Sequence, residues 1–195
     1  MNLAVFASGR GSNLDVIASR IADGELPARI SFVLTNNSDS GAVYIARQHG
    51  IPVVHLSAVT HPDPDAYCKT MLHYLEQHEI NHIVLAGFMK RIPAQIIQSF
   101  RGAIVNIHPA PLPDFGGRGM YGLQPHRAVL AAGLRSSEVC VHHVTADYDQ
   151  GLIIASREVT VRPDDTAESL QRRASAVEHD LYWRVIADMI KRASK

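Results

Sequence analysis

Short apolar runs alternate with helix-period segments through the first two thirds of this chain, and that alternation restricts the fold more than any other feature. Residues 2–7, 30–34, 52–56, 82–86 and 103–107 are apolar runs of strand length. Between the first two, Leu14, Ile17, Ala18 and Ile21 recur at helical spacing and Gly24 closes the turn. Tyr67, Met71, Tyr74 and Leu75 form a second stripe, and residues 93–100 a shorter one. This β-α-β-α order predicts an α/β fold: a mainly parallel twisted sheet with helices on both faces, Rossmann-like in plan.

The last third changes character. Residues 138–145 and 152–161 are β-rich and joined by "ADYDQG", as in a hairpin or crossover pair. Asp165, followed three residues later by Glu168, is the expected N-cap of a long C-terminal helix. Leu170, Ala174, Val177, Leu181, Val185 and Met189 supply its apolar stripe. No repeat or linker interrupts residues 1–195, so a single domain is expected. The four glycines of "DFGGRGMYG", residues 114–122, predict a mobile loop.

Composition narrows the function. Lys plus Arg and Asp plus Glu balance at 19 each, which gives no electrostatic footprint for nucleic acid or a membrane surface. Two cysteines make no disulfide framework. No apolar run approaches the ~18 residues of a membrane span. The N-terminus lacks the basic region and apolar core of a secretion signal. A cytoplasmic location is the expectation. With no HExxH or paired CxxC pattern, no metal is expected.

Two stretches carry chemistry. In "NIHPAPLP", residues 106–113, a buried-type strand ends in Asn106 and His108 and then meets three prolines. Side chains two apart share one face of a strand. Ligands of parallel sheets collect beyond the carboxyl ends of strands, where this pair falls. An amide donor beside an imidazole suits a carbonyl reaction: one polarises an oxygen, the other carries a proton. Leu112–Pro113 is the expected cis bond, with Pro109 and Pro111 as competitors.

"SGRGSN", residues 8–13, lies between the first strand and the first helix. Glycines permit the tight turn, the helix N-terminus attracts an anion, and Ser12 either caps the helix or donates to a phosphate. Leu14 stands where a dinucleotide fingerprint has its third glycine, and Asn36 and Asn37 where it has an acid, so a monophosphate fits better than NAD. The bland alternative is a helix-capping turn. Asp147 and Asp149 are either solvated turn formers or partners that favour the charged form of His108. His142 and His143 alternate on a strand, so only one faces any site.

These residues together resemble the glycinamide ribonucleotide formyltransferase family. The resemblance rests on "SGRGSN", "VLAGFMKRIP" at 84–93, "NIHPAPLP", "VHHVTADYDQG" at 141–151 and "AVEHDLY" at 176–182. It implies transfer of the formyl group of 10-formyltetrahydrofolate to the amine of glycinamide ribonucleotide, a step of purine biosynthesis. Asn106, His108 and Asp149 match the catalytic trio, with Asp149 keeping His108 protonated. Gly11, Ser12 and Asn13 match the phosphate-binding turn, and Glu178 the acid near the ribose. Met89, Lys90, Arg91 and Ile92 match one folate wall. Thr145, Ala146, Tyr148 and the two loop acids Asp147 and Asp149 match the other, to which Asn106 also contributes.

The departures are specific. Pro64 replaces an arginine associated with the folate tail, Lys90 a frequent arginine, Gln150 a common glycine and Gln124 a frequent histidine. Formylation of methionyl-tRNA is disfavoured because that enzyme carries a further RNA-binding domain. Formyltetrahydrofolate hydrolysis, amino-sugar nucleotide formylation and a non-catalytic nucleotide-binding module are the other readings. Small molecules are the expected partners; oligomeric state is not legible.

Overall fold

The computed structural model describes residues 1–193. Seven strands form one sheet: β1 (Asn2–Phe6), β2 (Arg29–Thr35), β3 (Val53–His55), β4 (His82–Leu85), β5 (Ile104–His108), β6 (Ser136–His143) and β7 (Ile153–Thr160). Their spatial order is β3-β2-β1-β4-β5-β6-β7. All pairings from β1 to β5 are parallel, while β5–β6 and β6–β7 are antiparallel. The expected mainly parallel sheet and C-terminal hairpin are both present.

Alternation along β1 shows why helices must cover both faces. Leu3 and Val5 pack in one core with Leu14 and Ile17 of α1 (Ser12–Ala22), whereas Ala4 and Phe6 pack in another. The second core contains Met71 and Leu75 of α3 (Pro64–Gln77) and Ile96 of α4 (Ala94–Ser99). Successive strand side chains point to opposite faces, so a strand apolar at every position needs two apolar covers.

The C-terminal helix α6 (Ala167–Ala193) completes the first core through Leu170, Ala174, Leu181 and Tyr182. The buried Tyr182 hydroxyl lies 2.9 Å from the Leu85 carbonyl and 3.0 Å from that of Val105. Its proton is shared between β4 and β5, so α6 is fixed beneath the strands that carry the site.

Three local expectations are corrected. Helices α2 (Gly41–Gln48) and α5 (Gln124–Ala131) were not legible as stripes. Asp165 is not the N-cap of α6: Thr166 and Ser169 exchange reciprocal side chain–backbone bonds at 3.2 and 2.9 Å. Asp165 instead accepts two bonds from Arg173, at 2.7 and 2.8 Å. The fork and the Arg162 N–H, at 2.7 Å, hold this carboxylate away from the first backbone N–H groups of α6.

Leu112–Pro113 is cis, as expected. The glycine-rich segment after it is a run of turns, including Phe115 N–H to Pro111 O at 2.9 Å and Met120 N–H to Gly117 O at 3.1 Å.

Candidate functional site

The chain leaves β1 toward β2 on one side, and the β3–β4 connection returns to the other side of β1. The crevice beyond the carboxyl ends of β1 and β4 is therefore a topological switch point, where open α/β sheets bind ligands. A cavity of about 530 Å³ lies there. Its size is that of a small-molecule pocket.

Backbone and side-chain bonds tie the cavity walls together. Ser8 N–H donates to Gly87 O at 3.1 Å, and Met89 N–H to Ser8 Oγ at 2.9 Å, joining the turns after β1 and β4. The Arg91 guanidinium donates twice to Ala146 O, at 3.0 and 2.6 Å, joining the turn after β4 to the loop after β6.

At one end of the cavity, Gly11 precedes α1 with φ +84°. A Cβ there would meet Ala42 Cα at 2.8 Å, so glycine is needed for the close approach of α2 as well as for the positive φ. Ser12 is the first helical residue and makes no capping bond through its side chain. Asn13 Nδ2 donates to Glu178 Oε2 at 2.8 Å, while Asn13 Oδ1 is buried without a partner. Burial pushes the Glu178 carboxyl above its ordinary range, against the Asn13 bond and the Arg10 charge.

At the centre, β5 delivers Asn106 and His108 to the cavity, and Asp149 faces both from the loop after β6. Asn106 Nδ2 is 3.4 Å from Asp149 Oδ1. His108 Nδ1 is 3.7 Å from Asp149 Oδ2, an ion-pair distance but too long for a hydrogen bond. His108 Nε2 lies 2.8 Å from Phe115 O and must donate, because a carbonyl only accepts. Gly117 N–H donates to Asp149 Oδ2 at 2.9 Å. Asp149 adopts φ +56°, a left-handed conformation uncommon for a side chain-bearing residue. Gly116 leaves room for the Asp149 side chain: a Cβ there would stand 2.8 Å from Asp149 Cβ.

The expectation that Asp149 holds His108 above the ordinary histidine range is not met. Burial pushes His108 below that range, and the Asp149 charge and the Phe115 carbonyl only partly offset it. At 4% side-chain exposure, loss of hydration outweighs a carboxylate that is not in hydrogen-bond contact. Asp149 stays ionised: burial raises it, but the His142 bond, the His108 charge and Gly117 N–H together bring it below the usual carboxylate range.

All the expected phosphate, folate and catalytic positions line this one cavity. Three further residues lie at the site but were not among its expected positions. Arg10, exposed in the turn, lines the phosphate end. His142 is the member of the His142–His143 pair that faces the site, 3.4 Å from Asp149 Oδ1. His126, on α5, is 1% exposed with no partner at either ring nitrogen. The β6 alternation narrowed the choice to His142 or His143; nothing in the sequence marked His126.

The formyl transferase family model matches residues 1–186. The chain belongs to the formyl transferase family. It is 40% identical to the chloroplastic phosphoribosylglycinamide formyltransferase of Arabidopsis thaliana, over 94% of this chain and 63% of that protein. It therefore spans less than two thirds of that plant relative. It is 31% identical to the phosphoribosylglycinamide formyltransferase of Escherichia coli strain K12, over 96% of this chain and 86% of that one. The crystal structure of the Bacillus halodurans phosphoribosylglycinamide formyltransferase superposes with a TM-score of 0.90 at 32% identity, covering 99% and 97% of the two chains. Among the described residues, no helix is long and apolar enough to cross a membrane.

Proposed function

We propose that this protein transfers the formyl group of 10-formyltetrahydrofolate to the amine of glycinamide ribonucleotide, as a single-domain cytoplasmic enzyme of purine biosynthesis. The observation that carries this reading is one continuous cavity. It runs from the glycine turn at the N-terminus of α1, past Asn106, His108 and Asp149, to the walls formed by residues 89–92 and 145–149. The names of the Arabidopsis and Escherichia coli relatives support the substrate assignment.

In this reading the phosphate sits against Gly11, Ser12 and Asn13, and Glu178 accepts from the ribose hydroxyls. Residues 89–92 and 145–149 hold the folate. The amine nitrogen attacks the formyl carbon, forming a C–N bond and a tetrahedral oxyanion. His108, neutral at rest, accepts the proton that the amine must lose. The resulting imidazolium stabilises the oxyanion, and Asp149 compensates the new charge. The bond from carbon to the folate nitrogen then breaks, and the proton returns to that nitrogen. Positioning and preorganised charge supply the rate.

The test is a formyl-transfer assay with purified protein, glycinamide ribonucleotide and 10-formyltetrahydrofolate, read by product mass. A formylated ribonucleotide formed only with all three components is expected. Equal release of tetrahydrofolate without the amine would instead establish a hydrolase.

A further inference from the structure

Residues 144–152 join β6 to β7 and carry Asp149, yet much of that loop lies open to solvent. Thr145, Ala146, Asp147 and Tyr148 are all exposed, and within the loop Thr145 Oγ1 donates to Asp147 O at 3.1 Å. Asp149 itself sits at φ +56°. A side chain-bearing residue keeps such a conformation only where its surroundings over-determine it. On the Asp149 side the loop is held through the carboxylate, which accepts from Gly117 N–H at 2.9 Å.

Before Asp149, the hold comes from Arg91 in the turn after β4. Its Nε and Nη2 converge on Ala146 O at 3.0 and 2.6 Å, and Nη2 is 3.7 Å from Asp147 Oδ1. A carbonyl oxygen has two lone pairs and takes both donors, and donors that carry charge make the shorter, stronger bonds. The base of this fork is fixed, because the next residue, Ile92, is buried in the second core. Two of the three guanidinium nitrogens are therefore engaged by the protein.

The consequence falls on Asp149, which follows Ala146 closely in the chain. Its Oδ2 is 3.7 Å from His108 Nδ1, and the attraction of two charges changes steeply with separation in a buried site. A loop released at Ala146 lets that carboxylate drift, while Asn106 and His108 keep their places on β5.

We propose that Arg91 is a positioning residue: its fork on Ala146 O holds the loop after β6 so that the Asp149 carboxylate stays in place beside His108. The catalytic consequence rests on the formyl-transfer reading, but the positioning does not. Arg91 touches no reacting atom in this role.

The experiment compares wild type, Arg91→Ala, Asp149→Asn and the double variant, each shown to be folded by its melting curve. Arg91 is 62% exposed, so its loss sits at the low end for a charged donor: kcat should fall about tenfold. The folate KM should stay within about threefold of wild type. In the Asp149→Asn background the same substitution should change kcat by no more than about twofold, because Arg91 acts through Asp149. In nitrogen NMR of the ligand-free proteins, the His108 titration in Arg91→Ala should move toward its position in Asp149→Asn. A raised folate KM with kcat intact would make the guanidinium a ligand contact and overturn the proposal. Equal kcat losses in both backgrounds, or a His108 titration that does not move, would overturn it as well. If the His108 titration moves as expected but the wild type transfers no formyl group, the positioning stands and the formyl-transfer reading alone fails.

Discussion

Asn13 Nδ2 donates to Glu178 Oε2 across 2.8 Å and so fixes the start of α1 against α6. The bond leaves Asn13 Oδ1 buried and unpartnered, an acceptor that suits a hydroxyl better than a phosphate. Glu178→Gln should raise the ribonucleotide KM about tenfold, the loss expected of one charged hydrogen bond, and leave the folate KM alone. Equal changes in both constants would remove Glu178 from the ribose end. The same substitution tests linkage. The folded Glu178 carboxyl is raised above its ordinary 4.5, so the native state holds its proton longer and stability falls as pH rises through that window. Glu178→Gln should therefore gain Tm relative to wild type above pH 4.5, measured by a pH series of melts.

Arg10 lies between Gly9 and Gly11, exposed at the phosphate end of the cavity. Ala42 N–H donates to Gly9 O at 3.0 Å, so α2 steadies the turn from which Arg10 projects. A guanidinium near a helix N-terminus adds charge and fork geometry to the backbone donors. Arg10→Ala should raise the ribonucleotide KM tenfold or more, with kcat within about threefold, and flatten the salt dependence of that KM. A salt dependence equal to wild type would exclude Arg10 from the phosphate. Gly11 is a poor position for the same test, because its positive φ and its contact with Ala42 make any side chain there disruptive.

The mainly parallel sheet and its helix cover were legible because β1, β2 and β4 are short, largely buried apolar runs that alternate with helical patterns. Helices α2 and α5 were hidden for a physical reason. Each is 8 residues long, and their buried faces rest on small or atypical residues: Ala42 and Ala46 in one, Pro125 and His126 in the other. The site's membership was legible through motifs, but its protonation was not. Whether Asp149 charges His108 depends on a 3.7 Å separation and 4% exposure, quantities that residue order does not contain.

Asp149→Asn isolates the charge with little backbone disturbance, since asparagine tolerates the left-handed conformation at φ +56°. The folded Asp149 carboxyl lies below its ordinary 3.8, so it stabilises the native state above that pH and the contribution is lost as pH falls through the folded value. The variant should melt lower than wild type at neutral pH, and the gap should close in acid. Its kcat should fall at least a hundredfold, because the imidazolium formed during proton transfer loses its counter-charge. The His108 titration should move further down. A His108 titration that stays in place would show that this carboxylate does not act on that ring.

His126 offers the clearest pH test of stability. Burial, reinforced by the charge of His108, lowers its pKa from 6.5 to about 4, and neither ring nitrogen has a partner. The unfolded chain binds a proton at His126 below pH 6.5, whereas the folded chain resists until about 4. Stability must then fall on acidification across that window and level off below it. His126→Leu removes the titrating group while keeping an apolar filling. Above pH 6.5 its Tm should differ from wild type by a constant amount; between 6.5 and 4 the variant should gain steadily. Parallel melting curves at all pH values would mean that His126 is solvated or paired in the folded protein. Nitrogen NMR of the ring would then find it titrating near 6.5 rather than near 4.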